Sequence, residues 1–410
     1  MKEVPVQLLR AGLVFSEPVY IEENNLLVPA GIAIRKKDLE RLKTWGINTV
    51  KTDGQIVKVA DSPSPAEAAR AAAGVKAGNI ARTASNALAE ASPAVKDAAI
   101  FSPGQVQENN ETYRSYIDLI EQLDAVFTHI SANTVVEARS IDTITGLLLQ
   151  IIREQRSEVI GFILGGEVSG HVLAKNSLNT AILSGLIALD LKLLNRKITD
   201  LITGALLHDT GMLRLPREIL NKRGVLSESE LQRMQAHPLY SYKIACKELR
   251  YPEDVGLIVI QHHERLDGEG YPRRLSGAQI DMGARIVSVT DAFEAMVSEK
   301  PYRNSMMGNQ AIKNLLSDNT RRFDSDVLKS FIQTMGIYPI GSLILLNNGA
   351  IARVTDVQGD APLRPSIRVL IDESGRLFRQ DDGELIDLLT EKNLFIVRAI
   401  DPRELTKKYA

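Results

Sequence analysis

The sequence is poor in cysteine and has no long apolar run. Its single cysteine, Cys246, excludes an intramolecular disulfide and a zinc site built from thiolates, and it fits a reducing compartment. No segment approaches the roughly 18 apolar residues that a transmembrane helix needs. Met1 to Pro5 begin the chain without the apolar core of a signal peptide. We therefore expect a cytoplasmic protein that inserts into no membrane.

Net charge is also nearly absent. The 49 basic and 51 acidic residues leave a formal charge of −2, which gives no global attraction to nucleic acid. A nucleic-acid polymer is therefore not an expected partner. The residues are 44% hydrophobic and 24% charged, a composition typical of soluble globular proteins. A chain of 410 residues is long enough for two to four domains.

Residues 1–60 are predicted to form a small mixed α/β module. Short apolar segments suggest strands, and Leu39 and Leu42 would share one face of a helix. The predicted strand segments are Val14-Phe15, Val19 to Ile21, Leu26 to Val28 and a segment that begins at Val50. No cluster of catalytic residue types occurs here. We interpret the module as regulatory, with a possible protein partner.

Residues 61–105 are predicted to be a linker. Fifteen of the forty residues from Asp61 to Ile100 are alanine, and large apolar side chains are nearly absent. Such a segment buries too little surface to offset the entropy lost on ordering. Because alanine favours helix, a loosely packed helix is the alternative.

Residues 106–160 are predicted to be a helical connector. Two apolar stripes recur at steps of three and four residues: Tyr113, Ile117, Ile120, Leu123, Phe127 and Ile130 in the first, and Ile144, Leu147, Leu148, Ile151 and Ile152 in the second. Two alternatives fit the stripes. They pack on the following domain, or residues 107–165 form the helical pair of a homodimer.

Residues 161–335 have the pattern of an all-α domain whose polar residues cluster where helices end. Beyond Gly336 the pattern changes to strands, and Asn347-Asn348-Gly349 between two apolar segments is a strong hairpin signal. Asn393 to Val397 is another expected strand. We therefore predict a multidomain α+β protein, with a β-rich module at residues 336–410.

Four of the six histidines and two aspartates mark the central domain. His208-Asp209 and His262-His263 stand at predicted helix ends, and His237 precedes a proline. Asp291 follows a predicted turn at residues 286–289. Taken singly, each has an ordinary explanation, such as a core histidine or a helix N-cap at Asp291. Together they favour a buried site for two metal ions.

The ligand types indicate the metal and its chemistry. Four imidazoles with two carboxylates favour iron, manganese, zinc, nickel or cobalt over magnesium. Two such cations about 3.5–4 Å apart can clamp a phosphodiester and acidify a bridging water. Their charge also stabilises the oxyanion of the leaving group.

The motifs of this domain resemble the HD-GYP family in order and spacing over about residues 160–335. The matching motifs are Leu206 to Gly211, Ala236-His237-Pro238, His262-His263-Glu264, Gly268 to Pro272, Ala284-Arg285-Ile286, Asp291-Ala292-Phe293 and Lys300 to Arg303. The resemblance implies a helical HD fold with a metal centre, usually of iron or manganese. It also implies hydrolysis of cyclic di-GMP to pGpG or GMP.

The resemblance assigns roles to individual residues. It implies two divalent metal ions, catalytic roles for Asp209 and Tyr271, and nucleotide contacts from Tyr271, Lys300 and Arg303. Arginine or lysine beside a phosphate is chemically sensible. The implied metal ligands are His208, Asp209, His237, His262, His263 and Asp291.

Four positions depart from the family pattern. Asn176 stands in place of a histidine, Val172 in place of a glutamate, Met212 in place of a phosphate-binding lysine, and Glu294 in place of an aspartate. These changes argue against a third metal. They also leave the cation shared by His208, Asp209 and Asp291 short of a ligand.

Three hypotheses follow for the function. The first is an active cyclic di-GMP phosphodiesterase. The second is a degenerate protein, weak or inactive as an enzyme, that acts as a cyclic di-GMP receptor or signalling scaffold; Asn176 and Met212 motivate it. The third is a related hydrolase of another nucleotide, which the segment around Tyr271 disfavours.

Overall fold

The chain divides into two compact units. They are Met1–Phe101 together with Ser342–Ala410, and Ser102–Gly341. The computed structural model describes residues 2–21, 25–28, 31–34, 36, 38–39, 42, 47, 49–59, 110–165, 170–222, 224–298, 305–317, 322–378 and 382–401. The predicted linker, residues 61–105, lies outside the described residues.

The N-terminal part of the first unit contains two small sheets. The larger has the strand order β1-β5-β3-β4, and β2 pairs with β6. The strands are β1 (Lys2–Pro5), β2 (Leu13–Phe15), β3 (Val19–Ile21), β4 (Asn25–Val28), β5 (Thr49–Thr52) and β6 (Ile56–Val59). The predicted strands are confirmed. The sequence did not reveal β1 and β6; in β1 no residue is buried, so the alternation that predicts a half-buried strand is missing.

The C-terminal part of this unit is an antiparallel sheet of order β10-β9-β8-β7-β11. Its strands are β7 (Leu343–Leu346), β8 (Ile351–Asp356), β9 (Ser366–Ile371), β10 (Leu385–Asp387) and β11 (Ile396–Ile400). The predicted hairpin is confirmed, with Leu345 opposite Ile351. The strand predicted at Asn393 begins later. Asn347 bonds the carbonyl of Asn393 and the N–H of Phe395, so these residues close the hairpin turn instead.

The described part of the second unit is helical. Its helices are α1 (Glu111–Ser131), α2 (Ala138–Glu154), α3 (Arg156–Gly165), α4 (Val172–Asp190), α5 (Asn195–Leu207), α6 (Arg217–Leu220), α7 (Glu228–Met234), α8 (His237–Tyr242), α9 (Glu253–Gln261), α10 (Met282–Val297), α11 (Gly308–Ser317) and α12 (Ser325–Met335). The class predicted from sequence, a helical centre flanked by strands, is therefore confirmed.

Helix α4 is the core of the unit. It packs against α1, α2, α5, α10 and α12. Contrary to the expectation from sequence, this helix is long and apolar enough to cross a membrane, but 72% of its apolar window is buried within the protein. A helix that is apolar on all sides and covered by other helices is typical of a protein core. In the apolar stripes of α1 and α2, Leu147 is exposed, and the residues buried in this unit are Ile120, Leu123, Phe127, Ile130, Ile144, Leu148 and Ile152.

A chain of buried polar groups links three helices. The Tyr116 hydroxyl on α1 donates to Oδ1 of Asn179 on α4, at 2.8 Å. The Asn179 amide donates in turn to Oε1 of Glu294 on α10, at 3.3 Å, and the Ser298 hydroxyl also donates to Glu294. Buried polar groups need such partners, because an unsatisfied group costs about 1–3 kcal/mol. These bonds therefore fix α1 and α10 against α4.

Candidate metal centre

Helix ends bring the predicted metal ligands together. His208 and Asp209 follow the last residue of α5, and His237 is the first residue of α8. His262 and His263 follow the end of α9. The predictions that these residues lie at helix boundaries are confirmed.

Asp291 is placed differently from its prediction. Residues 286–289 are not a turn, because α10 runs unbroken from Met282 to Val297. Asp281 caps this helix by accepting the N–H of Gly283, so Asp291 is not an N-cap. Asp291 projects from the middle of the helix. The apolar run before it is a buried helix face, which periodicity alone does not distinguish from a strand followed by a turn.

Asp209 lies between the two groups of ligands. Its Oδ1 is 3.1 Å from Nε2 of His237 and 3.7 Å from Nε2 of His262. Its Oδ2 is 3.6 Å from Nε2 of His208, and that nitrogen is also 3.6 Å from Asp291 Oδ1. One carboxylate therefore faces imidazoles on both sides, as a bridging ligand does.

Two groups of side chains have the spacing of a metal site. The candidate ligand atoms of Asp209, His237, His262 and His263 all lie within 4.8 Å of one another. Those of His208, Asp209 and Asp291 meet the same limit. Asp209 belongs to both groups.

Backbone carbonyls orient three of the imidazoles. Each Nδ1 lies within hydrogen-bond distance of the carbonyl three residues earlier: 2.7 Å from Ala205 for His208, 2.8 Å from Met234 for His237, and 2.7 Å from Val259 for His262. With Nδ1 as the donor, Nε2 is a lone-pair donor that points into the centre. Metal-binding histidines are usually fixed in this way.

Buried atoms at the centre lack hydrogen-bond partners. Within the described residues, Nε2 of His208 and Oδ1 of Asp209 are buried and make no hydrogen bond. A buried group of this kind is costly unless a cation or a proton satisfies it. The bare Nε2 lone pairs around the Asp209 carboxylate therefore fit divalent cations bound between them.

The pKa values of Asp209, His262 and His263 suit the same role, whereas that of His208 favours a proton that a metal would have to displace. Burial lowers the pKa of His262 and His263, and adjacent imidazoles lower that of His263 further. Burial acts against charge at Asp209, but His208, His237 and His262 hold its pKa well below the usual range. Burial likewise opposes charge at His208, but Asp209 and Asp291 raise its pKa to about 9. Asp209 is thus anionic at neutral pH, and His262 and His263 are neutral, as metal ligands must be.

Tyr271 covers this centre from one side. Its ring lies 4.7 Å from that of His263, tilted by 31°, and 6.3 Å from that of His237. Burial raises the pKa of the Tyr271 phenol, and the carboxylates of Asp209 and Asp291 raise it further. The hydroxyl therefore stays protonated and can donate a hydrogen bond.

A cavity of about 730 Å³ opens beside the centre. His263, Tyr271 and Asp291 line it, so the candidate metal ligands form part of its wall. Arg265, Arg322 and Asn314 also line it. Sequence reasoning did not single out these three, because nothing in their local sequence marks them. They are far apart along the chain and meet only in the fold.

Comparison with known families agrees with this architecture. Residues 167–327 match the family model of the HD domain. Residues 343–408 match the model of the KOW domain associated with the HD domain.

Curated relatives match part of this chain. A cyclic di-GMP phosphodiesterase of Borreliella burgdorferi is 27% identical over 297 residues, which are 72% of this chain and 78% of that protein. A cyclic di-GMP phosphodiesterase of Pseudomonas aeruginosa is 34% identical over 40% of this chain and 39% of that protein. The 3'3'-cGAMP-specific phosphodiesterase 1 of Vibrio cholerae is 38% identical over 32% of this chain and 31% of that protein. Residues 167–327 are thus similar to the HD domain, and these relatives support the resemblance to the HD-GYP family.

Several positions singled out from sequence are not members of the two ligand groups of the HD domain. Val172 is exposed. Asn176 is half-buried on α4. Met212 is half-buried on the 3-10 turn after Asp209, and its N–H donates to the Asp209 carbonyl. Lys300 and Arg303 lie outside the described residues, so their predicted nucleotide contacts stay predictions.

Proposed function

We propose that the HD domain is a metal-dependent phosphodiesterase that hydrolyses cyclic di-GMP to pGpG, GMP or both. The observation that carries the proposal is Asp209, which has one oxygen facing the imidazoles of His237 and His262 and the other facing that of His208, beside a cavity. The names of the relatives supply the substrate class, a cyclic dinucleotide. Because one relative is named for 3'3'-cGAMP, that dinucleotide belongs in the same assays.

The residues present would hold two divalent cations, which we propose to be iron or manganese. Asp209, His237, His262 and His263 would hold one, and His208, Asp209 and Asp291 the other. When bound, such a pair supplies Lewis acidity and an activated hydroxide. It also offsets the charges of Asp209 and Asp291, which would otherwise repel a phosphodiester.

The chain's own groups then position the substrate. Tyr271 keeps its proton and lies at the boundary between the metal centre and the cavity, where it can donate a hydrogen bond to a phosphate oxygen. Arg265 and Arg322 add positive charge to the cavity wall. Either guanidinium can contact a substrate phosphate, and that of Arg265 is also held by Asp267 at 2.6 Å and lies 3.4 Å from Glu269.

The alternative is a cyclic di-GMP receptor or scaffold without turnover. Met212 favours it, because an uncharged thioether next to Asp209 cannot neutralise a phosphate. The site geometry favours the enzyme, since a receptor does not need imidazoles oriented toward a shared carboxylate. A partner for residues 1–60, a homodimer through residues 107–165 and a cytoplasmic location also stay proposals.

The test combines elemental analysis with turnover. Protein loaded with iron(II) or manganese(II) is expected to contain two metals per chain and to release pGpG or GMP. Asp209→Ala should lose both metal and turnover. Added metal should raise the melting temperature of the unmodified protein but not that of Asp209→Ala. The matched control is Asp254→Ala, which removes an exposed aspartate bonded to Lys197 at 2.9 Å.

Each outcome separates the two functions. Turnover that persists in Asp209→Ala would show that the site is misassigned. The receptor would be established instead if the protein bound cyclic di-GMP without metal and hydrolysed neither dinucleotide with any added metal.

A further inference from the structure

Glu264 is a buried carboxylate without a role in the site described so far. It follows the pair His262-His263 and is only 2% exposed. It belongs to neither group of candidate metal ligands. Burying a carboxylate is costly unless hydrogen bonds compensate it. The partners of Glu264 therefore indicate what its burial achieves.

Both oxygens of Glu264 bind backbone N–H groups of one loop. Oε1 accepts the N–H of Arg273 at 2.7 Å, and Oε2 accepts the N–H of Leu275 at 2.9 Å. Hydrogen bonds to a carboxylate are about twice as strong as those between neutral groups. Glu264 thus binds the segment of the chain that follows Tyr271 and Pro272.

The other end of the loop lies directly on the turn that carries Glu264. The Tyr271 N–H donates to the His263 carbonyl at 3.2 Å. A Cβ on Gly270 would lie 2.5 Å from the Arg265 nitrogen and 2.6 Å from the His263 oxygen. Only glycine permits this approach without a shift of the backbone. The loop is therefore held on both sides of Tyr271.

The same turn also presents an imidazole to the metal centre. His263 stands one residue before Glu264, and its ring lies under that of Tyr271. A change in the loop would therefore move the phenol relative to His263 without altering any candidate metal ligand.

We propose that Glu264 is a positioning residue, which holds the Tyr271 ring against that of His263 by binding the N–H groups of Arg273 and Leu275. The kinetic part of this proposal rests on the proposed phosphodiesterase activity. The structural part does not, because the hydrogen bonds exist without substrate.

The kinetic test is a double-mutant cycle between Glu264→Gln and Tyr271→Ala. Glutamine can accept one of the two N–H groups but turns its own NH₂ toward the other. We expect a loss in kcat/KM for cyclic di-GMP of about 10-fold or more, with the metal content per chain unchanged. In the Tyr271→Ala background the same change should cost less than about twofold, because the two residues act as a unit.

Two further variants define the effect. Glu264→Asp keeps the charge with a shorter reach and should retain an intermediate kcat/KM. Glu230→Gln is the matched control. Glu230 is also a carboxylate that accepts a backbone N–H, that of Ser227 at 2.6 Å, but it caps α7. The kcat/KM of the Glu230→Gln variant should stay within about twofold of that of the unmodified protein, as expected for a surface substitution.

Amide hydrogen exchange in the unmodified protein tests the hydrogen bonds that the loop makes to Glu264. In the unmodified protein the amides of Arg273 and Leu275 should be protected, although they lie in a loop. Exchange at the rate of a free loop would overturn the proposal, and so would independent, multiplying losses in the double mutant. Loss of metal in Glu264→Gln would also overturn it. If these amides are protected but the protein shows no turnover, the proposed phosphodiesterase activity is overturned and the hydrogen bonds from the loop to Glu264 are supported.

Discussion

Gly211 lies against the first turn of α8, where a Cβ would approach the carbonyl oxygen of His237 to 2.0 Å. Its N–H also donates to the Ser241 hydroxyl at 2.7 Å. Gly211 is two residues after Asp209, so this contact sets the distance between Asp209 and His237. The spacing of these two candidate ligands thus requires glycine, which has no side chain, at position 211.

Gly211→Ala should therefore damage the metal centre as well as the fold. The methyl group must push α8 away, since backbone atoms stand in its path. We expect the free energy of unfolding to fall by about 1–3 kcal/mol, as in other overpacked sites. Metal affinity should fall by about 10-fold or more, because bound-metal geometry tolerates little displacement. Denaturant unfolding and elemental analysis measure the two effects.

Gly146→Ala is the control of opposite sign. Gly146 lies within α2, and nothing stands within 4 Å of the added Cβ. Alanine should stabilise this helix by about 0.5–1 kcal/mol without a change in metal content. If Gly211→Ala behaved like Gly146→Ala, the close contact with α8 would not exist in solution.

Tyr271→Phe should separate the hydroxyl from the ring. The phenyl ring can still pack on His263, but the hydrogen-bond donor is lost. We expect kcat to fall about 10- to 100-fold with little change in KM, the behaviour of a donor used mainly in the transition state. Because the pKa of Tyr271 is raised, the unmodified enzyme should lose no activity through this phenol up to about pH 10. Full activity of Tyr271→Phe would contradict the role of the hydroxyl.

Arg322→Ala should weaken substrate binding rather than metal binding. Arg322 lines the cavity, and its backbone carbonyl accepts the N–H of Leu266, which fixes its place beside the Tyr271 loop. Loss of a charged contact to phosphate should raise KM about 10-fold or more. Arg233→Ala, an exposed arginine on α7, is the control. Equal KM values for the two variants would exclude a substrate contact for Arg322.

Tyr116→Phe should destabilise the domain without touching the site. It removes the donor to Asn179 and leaves a buried acceptor unsatisfied, which costs about 1–3 kcal/mol. Tyr240→Phe changes an exposed tyrosine and should stay within about 0.5 kcal/mol. Chemical denaturation with metal removed compares the two. A cost for Tyr116→Phe no larger than that for Tyr240→Phe would show that the bond contributes nothing.

The parts that were predictable from sequence depend on local rules. The capping box of Ser227 and Glu230 forms as its spacing predicts, and the Asn-Asn-Gly turn makes the predicted hairpin. The candidate ligands could be found because His-Asp and His-His pairs at helix ends are rare enough to stand out. The bond between Asn179 and Glu294 joins residues 115 positions apart. Such pairings, like the cavity wall at Arg322, arise only when helices pack.

The buried bonds from Tyr116 to Asn179 and on to Glu294 have a practical consequence for where the protein can be cut. The matched HD segment starts at residue 167, but α1 lies upstream of it and covers α4. A fragment that starts there would leave the Asn179 amide and the apolar face of α4 open to water. The smallest piece of this chain able to stand alone therefore begins before Glu111, more than fifty residues ahead of the recognisable domain.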